Sequence, residues 1–327
     1  MTVVPRMEAQ SDSQHAFNGR SVGRYERHRP EQTLLYQVID EHYPDFLAQL
    51  ALDGRTLPQF VQREFTEYLK CGRLEHGFLR VRCGDCHAEK LVAFSCKRRG
   101  FCPSCGARRM VESAALLIDE VLPAVPMRQW VLSVPFALRF LFASNPAAMS
   151  DALGIVYRAV AGFLIHKAGL TQGKAQCGAV TLIQRFGSAL NLNVHFHMLI
   201  PDGVYLKDTD SAAFRRLSPP TSAELQALVQ RISERIGRQM ERKGLLARDA
   251  ESSYLALEPG GEEGALADLQ GHSITYRIAL GPHKGRKAFL LQSLAPRGEE
   301  RAGECVAQAN GFSLHAGIAA EAERRQY

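Results

Sequence analysis

Two pairs of cysteines constrain the fold of this chain more than any other feature of its sequence. Cys83-x2-Cys86 and Cys102-x2-Cys105 are separated by fifteen residues, which matches the zinc-module pattern C-x2-C-x15–20-C-x2-C. Each Cys-x2-Cys turn places two thiolates on one side of a tight knuckle, and two knuckles complete a tetrahedral shell of four sulfurs. The predicted zinc is structural, because four thiolates leave no open coordination position. A redox-active motif is the alternative, but no thioredoxin-like βαβ pattern surrounds either pair.

Further candidate ligands lie in or beside the same segment. Cys71, His76 and Cys96 define a possible second zinc site, although a small module often contains cysteines and histidines that bind no metal. Eight cysteines in the whole chain, and an N-terminus without an apolar signal-peptide core, indicate a cytoplasmic protein whose thiols are reduced or metal-bound. We expect no membrane contact, because the longest apolar runs are too short to span a bilayer.

The charge of the chain is concentrated around these cysteines. Residues 70 to 112 hold ten Lys and Arg side chains against four Asp and Glu, an excess that equals the net charge of +6 of the whole chain. A basic island on a small module is typical of proteins that bind a polyanion, and a merely solvated surface is the alternative. The predicted nucleic-acid contacts are Lys97, Arg98, Arg99, Arg108 and Arg109.

A second metal site is predicted on one strand of the C-terminal half. Residues 191 to 200 alternate as a half-buried β-strand does, so His195 and His197 project from the same face, about 7 Å apart. Two such imidazoles can bind one divalent ion, and Gln184 on the preceding strand is the candidate third ligand for Mg²⁺ or Mn²⁺. The alternatives are a structural histidine pair and a glutamine that hydrogen-bonds at a sheet edge.

The pattern of helices and strands divides the chain into three parts. Residues 1–30 are polar and predict a disordered tail, residues 31–122 predict a helical and zinc-binding module, and residues 123–327 predict a second domain. Within the module, Pro44 is expected to interrupt the first helix.

The second domain is predicted to be α+β, with a central antiparallel sheet and helices on one side. Residues 178–186 and 192–200 read as an antiparallel hairpin, and residues 221–243 as a helix that begins with a capping box formed by Thr221 and Glu224. Two more strands are predicted over residues 273–280 and 287–294.

Several segments resemble the transposases of rolling-circle insertion sequences, of the insertion-sequence ninety-one type, between residues 31 and 326. In the cysteine module they are Arg80-Val81-Arg82-Cys83, Phe94-Ser95-Cys96-Lys97 and Gly100-Phe101-Cys102-Pro103-Ser104-Cys105. In the second domain they are Leu182-Ile183-Gln184-Arg185-Phe186-Gly187 and Leu192-Asn193-Val194-His195-Phe196-His197. The order of a zinc module followed by a histidine strand is specific to this resemblance.

The resemblance implies a zinc-binding DNA module followed by an HUH-type (His-hydrophobic-His) endonuclease domain. In that family a tyrosine attacks a phosphodiester of single-stranded DNA at transposon ends and targets, and a divalent metal on the two histidines polarises the phosphate. No small-molecule substrate is implied. A plasmid-type replication initiator with the same chemistry is one alternative, and a zinc-dependent nucleic-acid-binding protein without enzyme activity is the other.

The position of the nucleophile departs from the family pattern. Family members carry the tyrosine on a helix downstream of the segment that reads here Phe312-Ser313-Leu314-His315-Ala316-Gly317. The sequence ends at Tyr327, inside a predicted helix over residues 318–326, whereas the family pattern continues for several residues before its tyrosine. We therefore predict a C-terminally truncated product in which Tyr327, the candidate that remains, is not the nucleophile.

Overall fold

The computed structural model describes residues 29–98, 102–187, 191–207, 213–248, 253–255, 264–288 and 305–321. Nearly all of the predicted N-terminal tail lies outside these residues, as do Arg99, Tyr327 and most of the strand predicted over residues 287–294.

The described residues form seven α-helices, three within residues 31–122 and four within residues 123–327. They are α1 (Leu34–Leu52), α2 (Gln59–Lys70), α3 (Pro103–Leu116), α4 (Phe136–Ser144), α5 (Pro146–Lys167), α6 (Ser222–Arg242) and α7 (Gly264–Ile274). The capping box of α6 is confirmed, since Thr221 Oγ1 accepts from the Glu224 amide while the Glu224 carboxylate accepts from the Thr221 amide.

The predicted interruption at Pro44 is wrong, because α1 continues through it. Proline in a helix interior costs about 3 kcal/mol, and the packing of α1 against α2 offsets that cost. The rings of Tyr43 and Phe65 stack with centroids 4.3 Å apart, and Leu50 and Leu57 are buried in a cluster with Ala265 of α7.

The strands form antiparallel sheets, so the predicted α+β class is confirmed. The strands are β1 (Phe78–Arg82), β2 (Glu89–Ala93), β3 (Met127–Ser133), β4 (Ala175–Gln176), β5 (Val180–Phe186), β6 (Leu192–Pro201), β7 (Gly203–Leu206), β8 (Phe214–Arg216), β9 (Leu246–Arg248), β10 (Ser253–Leu255), β11 (Val306–Ala309) and β12 (Phe312–Ala320). The largest sheet has five strands in the order β11-β12-β3-β6-β5, and β1-β2, β9-β10 and β4-β7-β8 form smaller ones.

One face of the five-stranded sheet carries the main core. Trp130 and Leu132 of β3, Phe196 of β6 and Leu314 of β12 are almost fully buried there, because alternate residues of a strand point to the same face. Helices α4, α5 and α6 contribute their apolar residues to this same core. The opposite face holds half-buried polar residues, and His195 and His197 lie on it. We call it the polar sheet face.

Helix α5 is long and apolar enough to cross a membrane by length and composition. Nine of its residues are buried in the protein, however, including Ala152, Val156 and Val160. Its apolar character is therefore that of a core helix, packed against the five-stranded sheet.

Two predicted elements near the C-terminus differ from the structure. The strand predicted over residues 273–280 is replaced, as far as Tyr276, by the end of α7 and a turn in which Tyr276 has a positive φ of 56°. Beyond the turn, the predicted pairing is reduced to an isolated antiparallel bridge between Arg277 and Lys287. The helix predicted over residues 318–326 is replaced, as far as Ala320, by the end of β12. Pairing with β3, in which Ile318 lies opposite Gln129, overrides the local helical tendency of this alanine-rich segment.

Candidate metal centres and the basic groove

Four cysteines of the N-terminal module converge on one point. The metal-binding atoms of Cys71, Cys96, Cys102 and Cys105 all lie within 4.8 Å of one another. The Sγ of Cys105 lies 3.7 Å from that of Cys71 and 3.5 Å from that of Cys96. Four sulfurs at the corners of a tetrahedron, each about 2.3 Å from a zinc ion, are about 3.8 Å apart. The cluster therefore has the dimensions of a tetrahedral zinc site.

Three helix and strand ends position these thiols. Cys71 caps the C-terminus of α2, Cys96 follows β2, Cys102 caps the N-terminus of α3, and Cys105 lies in the first turn of α3. The amide of Cys96 donates to the Sγ of Cys71 at 3.3 Å. Such N–H···S bonds stabilise thiolate charge. The cluster is mostly buried, with only Cys96 partly exposed.

Three of the clustered thiols, those of Cys71, Cys96 and Cys102, have pKa values shifted by their surroundings. The hydrogen bond between Cys71 and Cys102 raises the pKa of the Cys71 thiol and lowers that of Cys102. Burial raises the pKa of the Cys96 thiol. A bound cation of charge +2 removes this competition, because it favours the thiolate form of every ligand.

The grouping of the cysteines differs from the one predicted by spacing. Cys102 and Cys105 lie in the cluster, but Cys83 and Cys86 are exposed in the turn that joins β1 to β2. His76 is also exposed and lies outside the cluster. The physical reason is the β1–β2 hairpin, whose five-residue strands are about 16 Å long and carry Cys83 and Cys86 to its tip. The hairpin base, where Phe78 pairs with Ala93, is the end next to Cys96.

A groove of about 560 Å³ runs between this hairpin and α3. Lys97, Arg108 and Arg109 line it together with the ring of Phe94, which is half exposed. Arg109 donates to the carbonyl of Lys97 at 3.0 Å, which fixes that part of the rim. Of the other two predicted DNA contacts, Arg98 forms a 3.8 Å ion pair with Glu64, and Arg99 lies outside the described residues. The groove combines cationic side chains with an aromatic surface.

The two histidines of β6 are adjacent on the polar sheet face, as the alternation predicts. The ring centroids of His195 and His197 are 4.9 Å apart. The Nδ1 of His195 lies 2.7 Å from the carbonyl of Asn193. A carbonyl only accepts, so this Nδ1 carries the proton and Nε2 keeps its lone pair. The Nε2 of His197 is buried without a hydrogen-bond partner among the described residues. Burial lowers the pKa of His197, and the charge of His195 lowers it further.

The predicted third ligand, Gln184, lies directly opposite His195 in the β5–β6 register. Its side-chain amide donates to the carbonyl of Phe186 at 3.0 Å, at the exposed edge of the sheet. This contact is the sheet-edge hydrogen bond of the alternative interpretation, and it leaves the amide oxygen available.

Two residues of the polar sheet face were not singled out from the sequence. The amide nitrogen of Gln129, on β3, lies 2.8 Å from the Nδ1 of His197. His315 of β12 lies in the same row, since it pairs with Val131, which in turn pairs with His197. The alternation of β3 could have revealed Gln129. Because Trp130 and Leu132 point to the core, Gln129 and Ser133 must share the opposite face of the strand.

Comparisons with known families agree with this architecture. Residues 38–134 match the family model of a transposase zinc-binding domain, and residues 178–322 match that of a putative transposase. A search of curated proteins and a search of solved structures each gave no match. The fold, the four-thiol cluster and the two matches define a transposase with an N-terminal zinc-binding domain. Within that class, the chain belongs to the transposases of the insertion-sequence ninety-one type.

Proposed function

We propose that this protein moves DNA by nicking and rejoining single strands at transposon ends, through a rolling-circle mechanism. A tyrosine hydroxyl attacks the scissile phosphorus and forms a 5′-phosphotyrosine. The bond from phosphorus to the 3′ oxygen breaks, and that oxygen takes up a proton to become a free hydroxyl. Attack of a 3′ hydroxyl on the phosphotyrosine reverses these steps and joins the strand to a target, so no external energy source is needed.

The observation that carries this proposal is the pair of imidazoles on the polar sheet face. The Nε2 lone pair of His195 is free to bind a metal, and the Nε2 of His197 is a buried polar atom without a partner among the described residues. An unsatisfied buried polar atom costs about 1–3 kcal/mol. A bound cation would satisfy it once the Gln129 amide is turned so that its oxygen, rather than its nitrogen, faces Nδ1 of His197 and leaves the Nε2 lone pair to the metal. His195 and His197, with Gln184 as third ligand, would hold Mg²⁺ or Mn²⁺, whose charge would polarise the scissile phosphate.

Two polar residues beside the histidines are proposed to position the DNA strand. Asn193 and Ser133 lie on the polar sheet face beside His195, since Ser133 pairs with His195 across β3 and β6. Their amide and hydroxyl groups suit hydrogen bonds to phosphate or sugar. Orientation of the phosphodiester against the attacking oxygen contributes much of the rate enhancement in such reactions.

The N-terminal module is proposed to hold the DNA. A structural Zn²⁺ bound by Cys71, Cys96, Cys102 and Cys105 fixes the ends of α2 and α3 and thereby shapes the basic groove. Lys97, Arg108 and Arg109, which line this groove, are the proposed phosphate contacts, and the half-exposed ring of Phe94 is the proposed surface on which a base stacks.

The nucleophile is not assigned within the described residues. None of the described tyrosines belongs to the five-stranded sheet; they lie in α1, α2, α5, β7 and β10 and in the turn after α7. Tyr327 lies outside the described residues.

Incubation with labelled single-stranded DNA and Mn²⁺ tests the proposal. We expect a covalent protein–DNA adduct from the protein, and none from its variant carrying His195→Ala and His197→Ala. Mass spectrometry of the adduct identifies the tyrosine that carries the DNA. Absence of an adduct, with DNA binding retained, would favour a non-enzymatic DNA-binding protein.

A further inference from the structure

A row of arginines runs along one side of α6, far in sequence from the cysteine module. Arg231, Arg235, Arg238 and Arg242 are spaced by four, three and four residues, which places them within about 60° of one another around the helix. All four side chains are exposed. The row is about 16 Å long, at 1.5 Å of rise per residue.

A fifth arginine comes from the neighbouring helix. Arg158 of α5 is exposed and lines a groove of about 580 Å³ between α5 and α6. The groove is also lined by Arg235, Arg238 and Arg242, with Ile155, Gln239 and Glu241 completing it. Two helices therefore direct cationic side chains toward one concave surface.

The nearby acids do not balance these cations. Glu234 approaches Arg238 only to 4.0 Å, at the limit of an ion pair between exposed side chains. Glu241 lies in the groove itself. Asp151 of α5 forms an ion pair with Lys243, so its charge is shared with a sixth cation. The groove itself is thus lined by four arginines and one glutamate, and concave surfaces with such an excess concentrate anions.

We propose that the α5–α6 groove binds the phosphate backbone of double-stranded DNA. The row on α6 spans the rise of about five phosphates of one strand, and guanidinium groups bind phosphate oxygens through two hydrogen bonds each. None of the residues that line the groove is aromatic. Proteins that bind single strands stack bases on aromatic rings, so this surface suits a duplex contacted through its backbone.

The groove is separate from the histidine site. Helices α5 and α6 pack on the buried face of the five-stranded sheet, whereas His195 and His197 lie on the opposite, polar sheet face. DNA in the groove is therefore flanking duplex rather than the strand that is cut. The inference rests on the proposed function only in taking DNA as the polyanion.

Salt-dependent binding of a fluorescein-labelled duplex to the full chain tests the groove. The variant R158Q/R235Q removes one charge from each helix. The control R215Q/R216Q removes two charges from β8, where Arg215 donates to the carbonyl of Ala168 and Arg216 pairs with Glu321. We expect the groove variant to lower the slope of log K against log salt by about 2 and the affinity at about 0.1 M salt at least tenfold. The control retains both, and R158K/R235K retains the slope.

The inference is overturned if the groove variant R158Q/R235Q keeps the wild-type slope of log K against log salt. It is also overturned if the control R215Q/R216Q loses as much slope and affinity as the groove variant, or if the wild-type chain binds no duplex. Variants at His195 and His197 should bind the duplex normally, because they leave the groove intact. Failure of strand nicking therefore counts against the proposed function alone, while an unchanged duplex slope counts against the groove alone. Equal melting temperatures of the three arginine variants show that any loss is local.

Discussion

The Sγ atoms of Cys71 and Cys105 lie 3.7 Å apart, although thirty-four residues separate them in sequence. This contact joins the end of α2 to the first turn of α3 and encloses the whole β1–β2 hairpin between them. A small cluster consisting of Tyr36, Tyr68 and three of the thiols is the local core. So small a core gives little stability without a metal.

The first prediction concerns which cysteines hold zinc. Cys71→Ser or Cys96→Ser should abolish stoichiometric zinc binding and unfold the module, because three remaining thiolates bind structural zinc poorly and the fold depends on it. Zinc content by mass spectrometry and far-UV circular dichroism measure the two effects.

Cys83→Ser and Cys86→Ser are the matched controls, since both thiols are exposed at the hairpin tip. They should leave zinc content at one ion per chain. In the native protein, an alkylating reagent should modify these two before any of the four clustered thiols. Loss of zinc in the tip variants, with retention in Cys71→Ser, would restore the grouping predicted from spacing.

The second prediction concerns Gln129 as the residue that orients His197. For Nε2 of His197 to bind a metal, Nδ1 must carry the proton and the Gln129 amide must accept through its oxygen. Gln129→Ala should weaken Mn²⁺ binding about 10- to 100-fold, the usual effect of losing such a partner. Gln129→Glu, which can only accept while ionised, should retain or strengthen it. Calorimetric titration with Mn²⁺ gives both affinities, and an unchanged affinity in Gln129→Ala contradicts the role.

The sequence was informative where a local period or motif determines structure. Alternation over β6 placed His195 and His197 on one face, and Thr221 with Glu224 marked the start of α6. Both are short-range signals, because strand alternation and helix capping act within a few residues.

The sequence failed where the outcome depends on distant partners. Cys71 and Cys96 cluster with Cys102, whereas Cys83 and Cys86 lie at the far end of the β1–β2 hairpin. The spacing of cysteines along the sequence does not reveal this arrangement. Residues 318–320 form a strand, rather than the predicted helix, because they pair with β3. In both cases long-range contacts outweighed local preference.

The third prediction concerns the buried ion pair between Arg128 and Asp202. Two of the Arg128 guanidinium nitrogens lie 2.7 Å from the two Asp202 oxygens, and the third donates to the carbonyl of Ala316 at 2.8 Å. The pair thus ties β3 to β12 and to the turn between β6 and β7. Asp202→Ala should lower the free energy of unfolding by about 3–5 kcal/mol, because it leaves a buried guanidinium without its counterion.

Urea denaturation measures this loss. Glu321→Ala, which breaks the exposed pair with Arg216, is the control and should cost no more than about 1 kcal/mol. The double variant Arg128→Met with Asp202→Ala should recover part of the stability, since the unpaired charge is then gone. A double variant that is less stable than Asp202→Ala alone would argue against this explanation.

The fourth prediction concerns the contact between Arg55, just after α1, and Asp268 of α7. The two side chains are 2.6 Å apart, and the hydrogen bond from Arg55 is the main reason that the pKa of Asp268 is lowered from its ordinary value of 3.8. A carboxyl whose pKa is lower in the folded state stabilises that state at pH values above its ordinary pKa. This contribution is lost as the pH falls through the pKa that the carboxyl has in the folded protein. Both side chains are about one-third exposed, so we expect the ion pair to contribute less than about 1 kcal/mol to the free energy of unfolding.

Asp268→Asn should therefore lower the free energy of unfolding at neutral pH by this small amount, and its effect should shrink progressively as the pH falls below the ordinary value of 3.8. Asp119→Asn, at an exposed position on the helical turn after α3, provides the control for a general change in charge. Urea midpoints of both variants and the wild type across this pH range measure the difference. A deficit in Asp268→Asn that stays constant into acid would show that Asp268 stabilises the α1–α7 contact through packing, because only the charged form gains from Arg55.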